Sequence, residues 1–324
     1  MMNKRKIKDF FKYNKLTAGL YKEMLNIRDN KRYHNKFDYH GTFFNRKKGK
    51  EYLCIILAGY KEFLYPTFFD RIEKFSEKNI DICVVSSGIY SESLKKICEK
   101  NDWSYLSTKE NNVALVQNVA IQLHPDAKYI FKIDEDIFIT ENFFSKMIKA
   151  YNHARKGDYE PGIVAPLIPI NGYGNVRILE ILGLKEVFEM KFEKPKHMAG
   201  VHRMVESNPD VAKFFWGEGG YVPKIDELNK IVSNRELEER PCAIKFSIGA
   251  ILFSRDLWIA MGYFDVNRSG NAMGIDERQI TEFCFSSSRA IMVSENIVVG
   301  HLSFGTQNEI MRKYYIDNPD KFKL

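Results

Sequence analysis

The sequence predicts an α/β fold with a mostly parallel central sheet flanked by helices. From about residue 51, short apolar runs alternate with segments of helical spacing, and runs end at glycines such as Gly59 and Gly88. Strands that alternate with helices at this spacing form βαβ units, in which the strands lie parallel. The composition, 44% hydrophobic and 14% aromatic, is that of a folded globular protein.

Four predicted strands, each followed by a helix, make up the first half of this body. The strands are predicted at 51–60, 81–88, 104–108 and 127–139, and the helices at 66–78, 91–100, 111–124 and 141–157. Pro66 suits the first turn of its helix, and Ser91 is a typical N-cap. Ligands of such sheets bind beyond the carboxyl ends of the strands, so we expect functional residues there.

The second half of the body is less regular. A strand is predicted at 162–170, a strand and a short helix at 246–265, a helix at 276–288 and a strand at 290–295, and residues 296–305 end the body. Residues 171–245 carry mixed helical signals. We therefore divide the chain into an extension (1–50), one continuous body (51–305) and a C-terminal tail (306–324).

The positive charge of the protein is concentrated in the extension. Its 50 residues hold 15 Lys and Arg against 4 Asp and Glu, whereas the rest of the chain holds 34 against 38. Apolar residues recur there at helical spacing: Ile7, Phe10, Phe11, Leu20, Tyr21, Met24 and Leu25. A basic amphipathic helix over residues 1–30 suits an anionic membrane surface or packing on the body. No recognition motif accompanies the charge, so we expect no nucleic-acid partner.

The cysteines indicate a reducing compartment. None of the five forms a CxxC pair, and Cys54, Cys83 and Cys284 lie in apolar runs. No run approaches the roughly 18 apolar residues that cross a bilayer, and the N-terminus lacks the apolar stretch of a secretory signal. We expect a cytoplasmic protein, either free or peripheral at the inner face of the cell membrane.

Three adjacent acids, Asp134, Glu135 and Asp136, follow a buried strand in "KYIFKIDEDIFITENFF". The sequence has no GxxxxGK phosphate loop, and "GYGNVR" lacks the last glycine of the dinucleotide fingerprint. Carboxylates that bind Mg²⁺ or Mn²⁺ offer another way to hold a diphosphate, because these ions also bind phosphate oxygens. The alternative is a solvated strand end before a helix N-terminus, where acids are favourable.

The triplet resembles the DxD motif of GT-A glycosyltransferases of the inverting, family 2-like type. In that family the motif binds Mn²⁺ or Mg²⁺, which bridges to the diphosphate of a nucleotide sugar. Three stretches resemble the family in the same order, "NNVALVQNVAIQLHPDAKYIFKIDED", "FSIGAILFSRDLWIAMGYFD" and "GIDERQI". The resemblance covers residues 51–305 and implies a GT-A (Rossmann-like) fold with a basic helical N-terminal extension. Residues 51–160 correspond to its nucleotide-sugar-binding half and residues 161–305 to its acceptor-binding half.

The resemblance also implies roles for individual residues. The metal ligands are expected to be Asp134, Asp136 and His301, the last in "VVGHLSFG". Donor contacts are expected from the set Gly59, Ser87, Asn118, Asp134 and Asp136. One departure concerns the acidic residue that reads the nucleotide base in family 2, because Ser86 and Ser87 occupy its place.

Asp276 and Glu277 are the candidates for the catalytic base. They stand where the family has a Glu-Asp motif, and alignment on Gly274 favours Asp276, with Glu277 as the alternative. A base takes the proton of the acceptor hydroxyl as the new bond forms, while a metal neutralises the leaving diphosphate. Both residues could instead be ordinary acids in the first turn of their helix.

The sequence thus predicts a metal-dependent transferase of the hexosyltransferase type. The expected donor is a nucleotide-diphosphate sugar, with a UDP-sugar favoured over a GDP-sugar, and the expected acceptor is a saccharide or a lipid-linked saccharide. A role in surface polysaccharide synthesis, of the capsule, O-antigen or lipopolysaccharide type, follows from the resemblance. One alternative is a sugar-nucleotide nucleotidyltransferase, although "LAGYKEF" lacks the glycine-rich loop of that class. Another is a degenerate, non-catalytic transferase that binds a glycan or a partner enzyme.

Overall fold

A computed structural model describes residues 11, 17–200, 203–267 and 274–324 of the chain. Its strands are β1 (Gly41–Phe44), β2 (Tyr52–Leu57), β3 (Ile80–Ser87), β4 (Ser104–Thr108), β5 (Tyr129–Asp134), β6 (Ile137–Phe138), β7 (Pro161–Leu167), β8 (Glu239–Pro241), β9 (Ala250–Ser254), β10 (Ala290–Val298) and β11 (Gly300–His301). Nine of them form one sheet in the order β1-β4-β3-β2-β5-β9-β7-β10-β8, and β6 pairs with β11. Six strands of the large sheet run in one direction, whereas β1, β8 and β9 pair antiparallel with their neighbours. The predicted α/β fold with a mostly parallel sheet is confirmed.

The helices follow the strands as the alternation predicts. They are α1 (Ala18–Asn35), α2 (Tyr65–Phe75), α3 (Glu92–Asn101), α4 (Val113–Leu123), α5 (Phe143–Ala154), α6 (Gly174–Leu182), α7 (Lys185–Lys191), α8 (Met204–Ser207), α9 (Pro209–Phe215), α10 (Ile225–Ser233), α11 (Arg255–Ala260), α12 (Ile275–Ser286) and α13 (Asn308–Asp317). Ser91 caps α3, as predicted, by accepting a hydrogen bond of 3.2 Å from the backbone N–H of Leu94. Their apolar faces and the sheet share one hydrophobic core.

The strand order creates a crevice at one edge of the parallel half. The chain steps outward from β2 to β3 and β4, and then returns past β2 to form β5 on its other side. Where the direction of progression reverses in this way, the following loops separate and open a crevice at the carboxyl ends of the strands. The end of β5 carries the acidic triplet, so the topology places the triplet at this crevice.

The boundaries drawn from sequence differ from the structure at both ends of the chain. Residues 41–44, assigned to the extension, form β1 and pair with β4 at the edge of the sheet. Residues 306–324, assigned to a tail, contain α13 and the fully buried Phe322. Residues 1–10 and 12–16, half of the predicted basic helix over residues 1–30, lie outside the described residues.

A buried arginine joins the two halves of the body. Arg71 of α2 is fully enclosed, and its guanidinium donates to both carboxylate oxygens of Asp226 at 2.8 Å. It also donates to the backbone oxygens of Ile139 and Phe322, at 3.1 and 3.2 Å. A buried guanidinium requires such partners, because an isolated buried charge is very unfavourable. Arg71 therefore fixes α10 and the C-terminal residues against the first half.

Two simpler expectations can be checked directly. All five cysteines are buried and free, which confirms their interpretation as small core residues without disulfides. Within the described residues, the helices are too short or too polar to cross a membrane.

Candidate active site

A cleft of about 400 Å³ opens at the crevice predicted by the topology. Its walls come from the ends of β2, β3 and β5, from the start of α12 and from the loop after β11. The acidic and basic side chains that line it are Lys61, Asp134, Glu135, Asp136, Glu277 and His301. Residues that are distant in sequence therefore meet in one place, as the sequence analysis predicted for the acids and for His301.

The middle acid of the triplet has a structural role. Glu135 is buried, and its two carboxylate oxygens accept hydrogen bonds from the backbone N–H groups of Gly59 and Tyr60 at 2.9 and 3.0 Å. These bonds fix the turn after β2. The N–H of Gly59 is thereby used within the protein, and the cleft wall at this turn consists of its neighbours Ala58, Tyr60 and Lys61.

The first acid is neutralised by a buried lysine of the same strand. Lys132 lies two residues before Asp134, on the same face of β5, and its Nζ is 2.7 Å from Asp134 Oδ1. The ammonium also donates to the backbone oxygen of Ile248 at 2.9 Å. Burial favours the neutral amine, but the charges of Asp134 and Asp276 hold the pKa of Lys132 above its ordinary value. The Lys132 ammonium thus lies against Asp134, behind the wall of the cleft.

The third acid meets the predicted histidine. Asp136 is buried, its Oδ2 lies 3.3 Å from His301 Nε2, and it also contacts Lys61 Nζ. Burial favours the neutral acid, yet His301 and Lys61 hold the pKa of Asp136 well below its ordinary value. The carboxylate is therefore ionised and lies between two basic side chains.

The pairing of β6 with β11 brings His301 next to Asp136. β6 begins directly after Asp136, and His301 of β11 lies opposite Ile137. The backbone N–H of Leu302 donates to the backbone oxygen of Asp136 at 3.0 Å. Trp216 supports β11 from behind, because its Nε1 donates to the backbone oxygen of His301 at 3.1 Å and its ring packs on Phe138.

Two of the three predicted metal ligands, Asp136 and His301, lie beside each other in the cleft. Adjacent ligands of an octahedral ion at about 2.1 Å are roughly 3 Å apart, close to the 3.3 Å between Asp136 Oδ2 and His301 Nε2. Asp134 is paired with Lys132 instead of with His301. Within the described part of the chain, no three His, Cys, Asp or Glu side chains form a metal site. An ion here would take its other ligands from phosphate and water, as Mg²⁺ commonly does.

The environments of Asp276 and Glu277 differ. Glu277 lines the cleft and pairs with Lys245 at 3.0 Å. Burial raises the pKa of Glu277, and the charges of Lys245 and Lys132 oppose this effect. Asp276 is buried, and its Oδ2 accepts a hydrogen bond of 2.9 Å from Gln117 Nε2. Of the two candidate bases, Glu277 is thus the one at the cleft wall, whereas the sequence favoured Asp276.

Ser87 forms the wall of the cleft beyond β3. Its Oγ accepts a hydrogen bond of 2.6 Å from the N–H of Asn112, and its backbone oxygen accepts one of 2.6 Å from the hydroxyl of Tyr60. Tyr60 lines the same part of the cleft and is 62% exposed. The ring of Tyr60 is exposed while its hydroxyl is held in place by a hydrogen bond, so a nucleobase can stack on it.

Asn118 requires a correction, because the structure does not place it at the cleft. It is fully buried in α4, where its Oδ1 accepts hydrogen bonds from Trp258 Nε1 at 2.9 Å and from the N–H of Phe264 at 3.0 Å. Its Nδ2 donates to the backbone oxygen of Phe264 at 2.8 Å. The amide is committed to protein partners, so Asn118 anchors the segment after β9 instead of contacting a nucleotide.

Three lysines of the site were missed in the sequence. Lys132 carried a usable signal, since it is a charged residue inside an apolar strand on the same face as Asp134. Lys61 stands in the loop after a strand end, where ligand contacts are expected. No sequence pattern marked Lys245 as a site residue, because it is the last residue of the irregular segment 171–245.

No protein-family model and no curated protein matches the chain. Solved structures similar to it include the mannosyltransferase PcManGT from Pyrobaculum calidifontis in complex with GDP-Man and Mn²⁺, with a TM-score of 0.45 and 13% identity over 86% of this chain and 64% of that one. Residues 1–349 of S. aureus TarS give a TM-score of 0.45 and 10% identity over 78% of this chain and 60% of that one. Their complex with UDP-GlcNAc gives 0.46 and 10% over 80% and 60%. The chain thus spans less than two thirds of each of these proteins.

Proposed function

We propose that this chain is a GT-A glycosyltransferase that moves a sugar from a nucleotide-diphosphate donor to a saccharide or lipid-linked saccharide acceptor. The observation that carries the proposal is the composition of the cleft. It combines an ionised carboxylate beside an imidazole, Asp136 and His301, with a cleft-lining lysine, Lys61, and a second, partly buried carboxylate, Glu277. These are the groups that such a transfer needs, at a crevice where α/β sheets bind ligands.

The leaving diphosphate gains negative charge as its bond to the sugar breaks, and positive groups must stabilise that charge. Asp136 and His301 would hold Mn²⁺ or Mg²⁺, which when bound supplies Lewis acidity toward the phosphate oxygens. Lys132 keeps Asp134 neutralised at the floor of the cleft. Asp134 retains its proposed contact with the donor, because it lines the cleft with its side chain 34% exposed.

Glu277 is our candidate for the base that deprotonates the acceptor hydroxyl. A base must lie within hydrogen-bond reach of the proton it takes, and Glu277 has the required position at the cleft wall. Partial burial raises the pKa of Glu277, which makes it a better proton acceptor than a solvated glutamate. A single base carboxylate, separate from the diphosphate side, is consistent with an inverting displacement. Asp276, the neighbour of Glu277 in the first turn of α12, is the second candidate.

A direct test is the calorimetric titration of the protein with UDP, UMP, GDP and GMP, each with and without Mn²⁺. We expect one of the two to bind, and to bind about tenfold more tightly than its monophosphate, because the second phosphate meets the charged groups of the cleft. Mn²⁺ should strengthen binding of the diphosphate more than that of the monophosphate. Equal affinities for the diphosphate and the monophosphate, or no binding of either nucleotide, would contradict the proposal.

We also propose that residues 1–30 contact an anionic membrane surface, where a lipid-linked acceptor and a surface polysaccharide would be assembled. Leu20, Met24 and Ile27 follow one another at four- and three-residue spacing on α1, and they are 65%, 69% and 62% exposed. The strongly basic extension suits anionic headgroups. Flotation with phosphatidylglycerol vesicles should recover the protein, and Leu20→Glu with Met24→Glu should abolish recovery. Equal recovery with neutral phosphatidylcholine vesicles would contradict the electrostatic part.

A further inference from the structure

Lys61 follows the end of β2 and contributes to the wall of the cleft. Its ammonium contacts Asp136, and its side chain is 23% exposed. Asp134 and Glu135 line the same cleft, so Lys61 lies among three carboxylates. Its ammonium thus lies in the cleft, paired with the acid that is proposed to bind a metal.

The contact of Lys61 with Asp136 can be exchanged for another. Lys61 precedes the short 3-10 helix Glu62–Leu64, and its long side chain is flexible. Asp136 keeps a second basic partner, His301, at 3.3 Å. Lys132 differs, because it is almost completely buried and also bonded to the backbone oxygen of Ile248. Of these two lysines, Lys61 is the one free to follow a ligand.

A divalent ion and the Lys61 ammonium compete for the same carboxylate. Both are positive, so they repel each other when they share Asp136. This repulsion is relieved if the ammonium moves to the anionic oxygens of a bound diphosphate, for which lysine is a good partner. The exchange keeps the Lys61 ammonium paired with an anion before and after the donor enters.

We propose that Lys61 is a diphosphate-binding residue that neutralises Asp136 in the empty cleft and transfers to the donor's diphosphate when the donor binds. This inference rests on the proposed function, because it assumes a nucleotide-diphosphate donor. It assigns Lys61 two measurable effects of opposite sign. Lys61 weakens the binding of a divalent ion in the absence of nucleotide, and it strengthens the binding of the nucleoside diphosphate.

The test is calorimetric titration of wild type and Lys61→Gln with Mn²⁺ alone, and with UDP and GDP in EDTA. In Lys61→Gln we expect Mn²⁺ to bind about tenfold more tightly and the nucleoside diphosphate to bind about 10- to 100-fold more weakly, the range for a hydrogen bond to a charged group. Lys61→Arg keeps the charge and should stay near wild type in both titrations. Lys100→Gln, which removes an exposed lysine paired with Glu73, is the matched control and should change neither affinity.

The outcomes separate this inference from the proposed function. An unchanged nucleoside-diphosphate affinity in Lys61→Gln would overturn the phosphate role, and an unchanged or weaker Mn²⁺ affinity would overturn the competition. A wild-type protein that binds neither UDP nor GDP would instead count against the proposed function, while the Mn²⁺ titration would still report on Lys61 and Asp136. If Lys61→Gln does not fold, the Lys61→Arg titrations decide, since a loss of diphosphate binding despite the retained charge would contradict the role.

Discussion

Replacing Glu277 by glutamine should lower kcat for sugar transfer by about 10²- to 10⁴-fold, the usual contribution of general base catalysis. Glutamine has nearly the same shape but cannot accept the proton of the acceptor hydroxyl. Donor affinity should change little, because we place Glu277 on the acceptor side of the reaction. Steady-state kinetics with donor and acceptor varied separately will separate the two effects.

The matched control is Asp276→Asn. Asparagine retains an oxygen that can accept the hydrogen bond from Gln117 Nε2, so we expect a much smaller loss of kcat than in Glu277→Gln. If Asp276→Asn loses more activity than Glu277→Gln, the base is Asp276, as the sequence first suggested, and our assignment is wrong.

The pH dependence follows from the environment of Glu277. Burial raises its pKa, so the carboxylate begins to gain a proton at a higher pH than a solvated glutamate with a pKa of about 4.3. Because the base must be ionised, kcat/KM should fall as the pH decreases through this raised pKa. The contribution of this group to stability has the opposite sign: it is fully present below the unfolded pKa and is lost as the pH rises through the folded pKa. In Glu277→Gln the acid limb of the activity profile should disappear.

Asp136→Asn is the second substitution with a large expected effect. It removes the negative charge that Lys61 contacts and that the divalent ion would require, so we expect donor turnover to fall by about 10²- to 10³-fold. Mn²⁺ binding in the absence of nucleotide should be lost. Folding should weaken by about 1–3 kcal/mol, because the partly buried Lys61 loses its carboxylate partner. Urea unfolding and calorimetry will measure these effects separately.

Glu135→Gln tests whether the loss of donor turnover is specific to Asp136 or follows the removal of any acid of the triplet. The amide oxygen of glutamine can still accept a hydrogen bond from the turn after β2, so most of the activity should remain. Similar losses of activity in Glu135→Gln and Asp136→Asn would mean that the triplet supports activity only by holding the turn after β2 in place. Full activity in Asp136→Asn would contradict the role of that residue.

The sequence predicted the alternating part of the fold well. β4 has the predicted bounds, and β2, β3 and the helices α2 to α5 agree with the predictions to within a few residues, because each carries a local periodic pattern. The antiparallel position of β9 between β5 and β7 could not be read in this way, since it depends on pairings between distant segments. The two-residue strands β6 and β11 are too short to have any pattern, although they bring His301 to Asp136.

The candidate site was predicted only in part, because local sequence patterns do not show contacts between distant segments. The acids after β5 were recognisable from an apolar run that ends in charge, and His301 from the resemblance. The partners that neutralise those acids were not, because Lys61, Lys132 and the N–H groups of Gly59 and Tyr60 act through tertiary contacts. Asn118 shows the opposite error, since a polar residue on a helix looks like a ligand contact until its buried partners are known.

The central claim is that the cleft transfers a sugar from a nucleotide-diphosphate donor. The most direct measurement is a mass-spectrometric assay of nucleoside diphosphate released from a panel of UDP- and GDP-sugars, with Mn²⁺ or with EDTA, and with or without saccharide acceptors. We predict that one donor is cleaved in the presence of Mn²⁺, that EDTA suppresses its cleavage and that an accepted saccharide increases the rate. If the folded protein binds a nucleoside diphosphate but releases none from any donor with any acceptor, the chain is a binding protein and not a transferase.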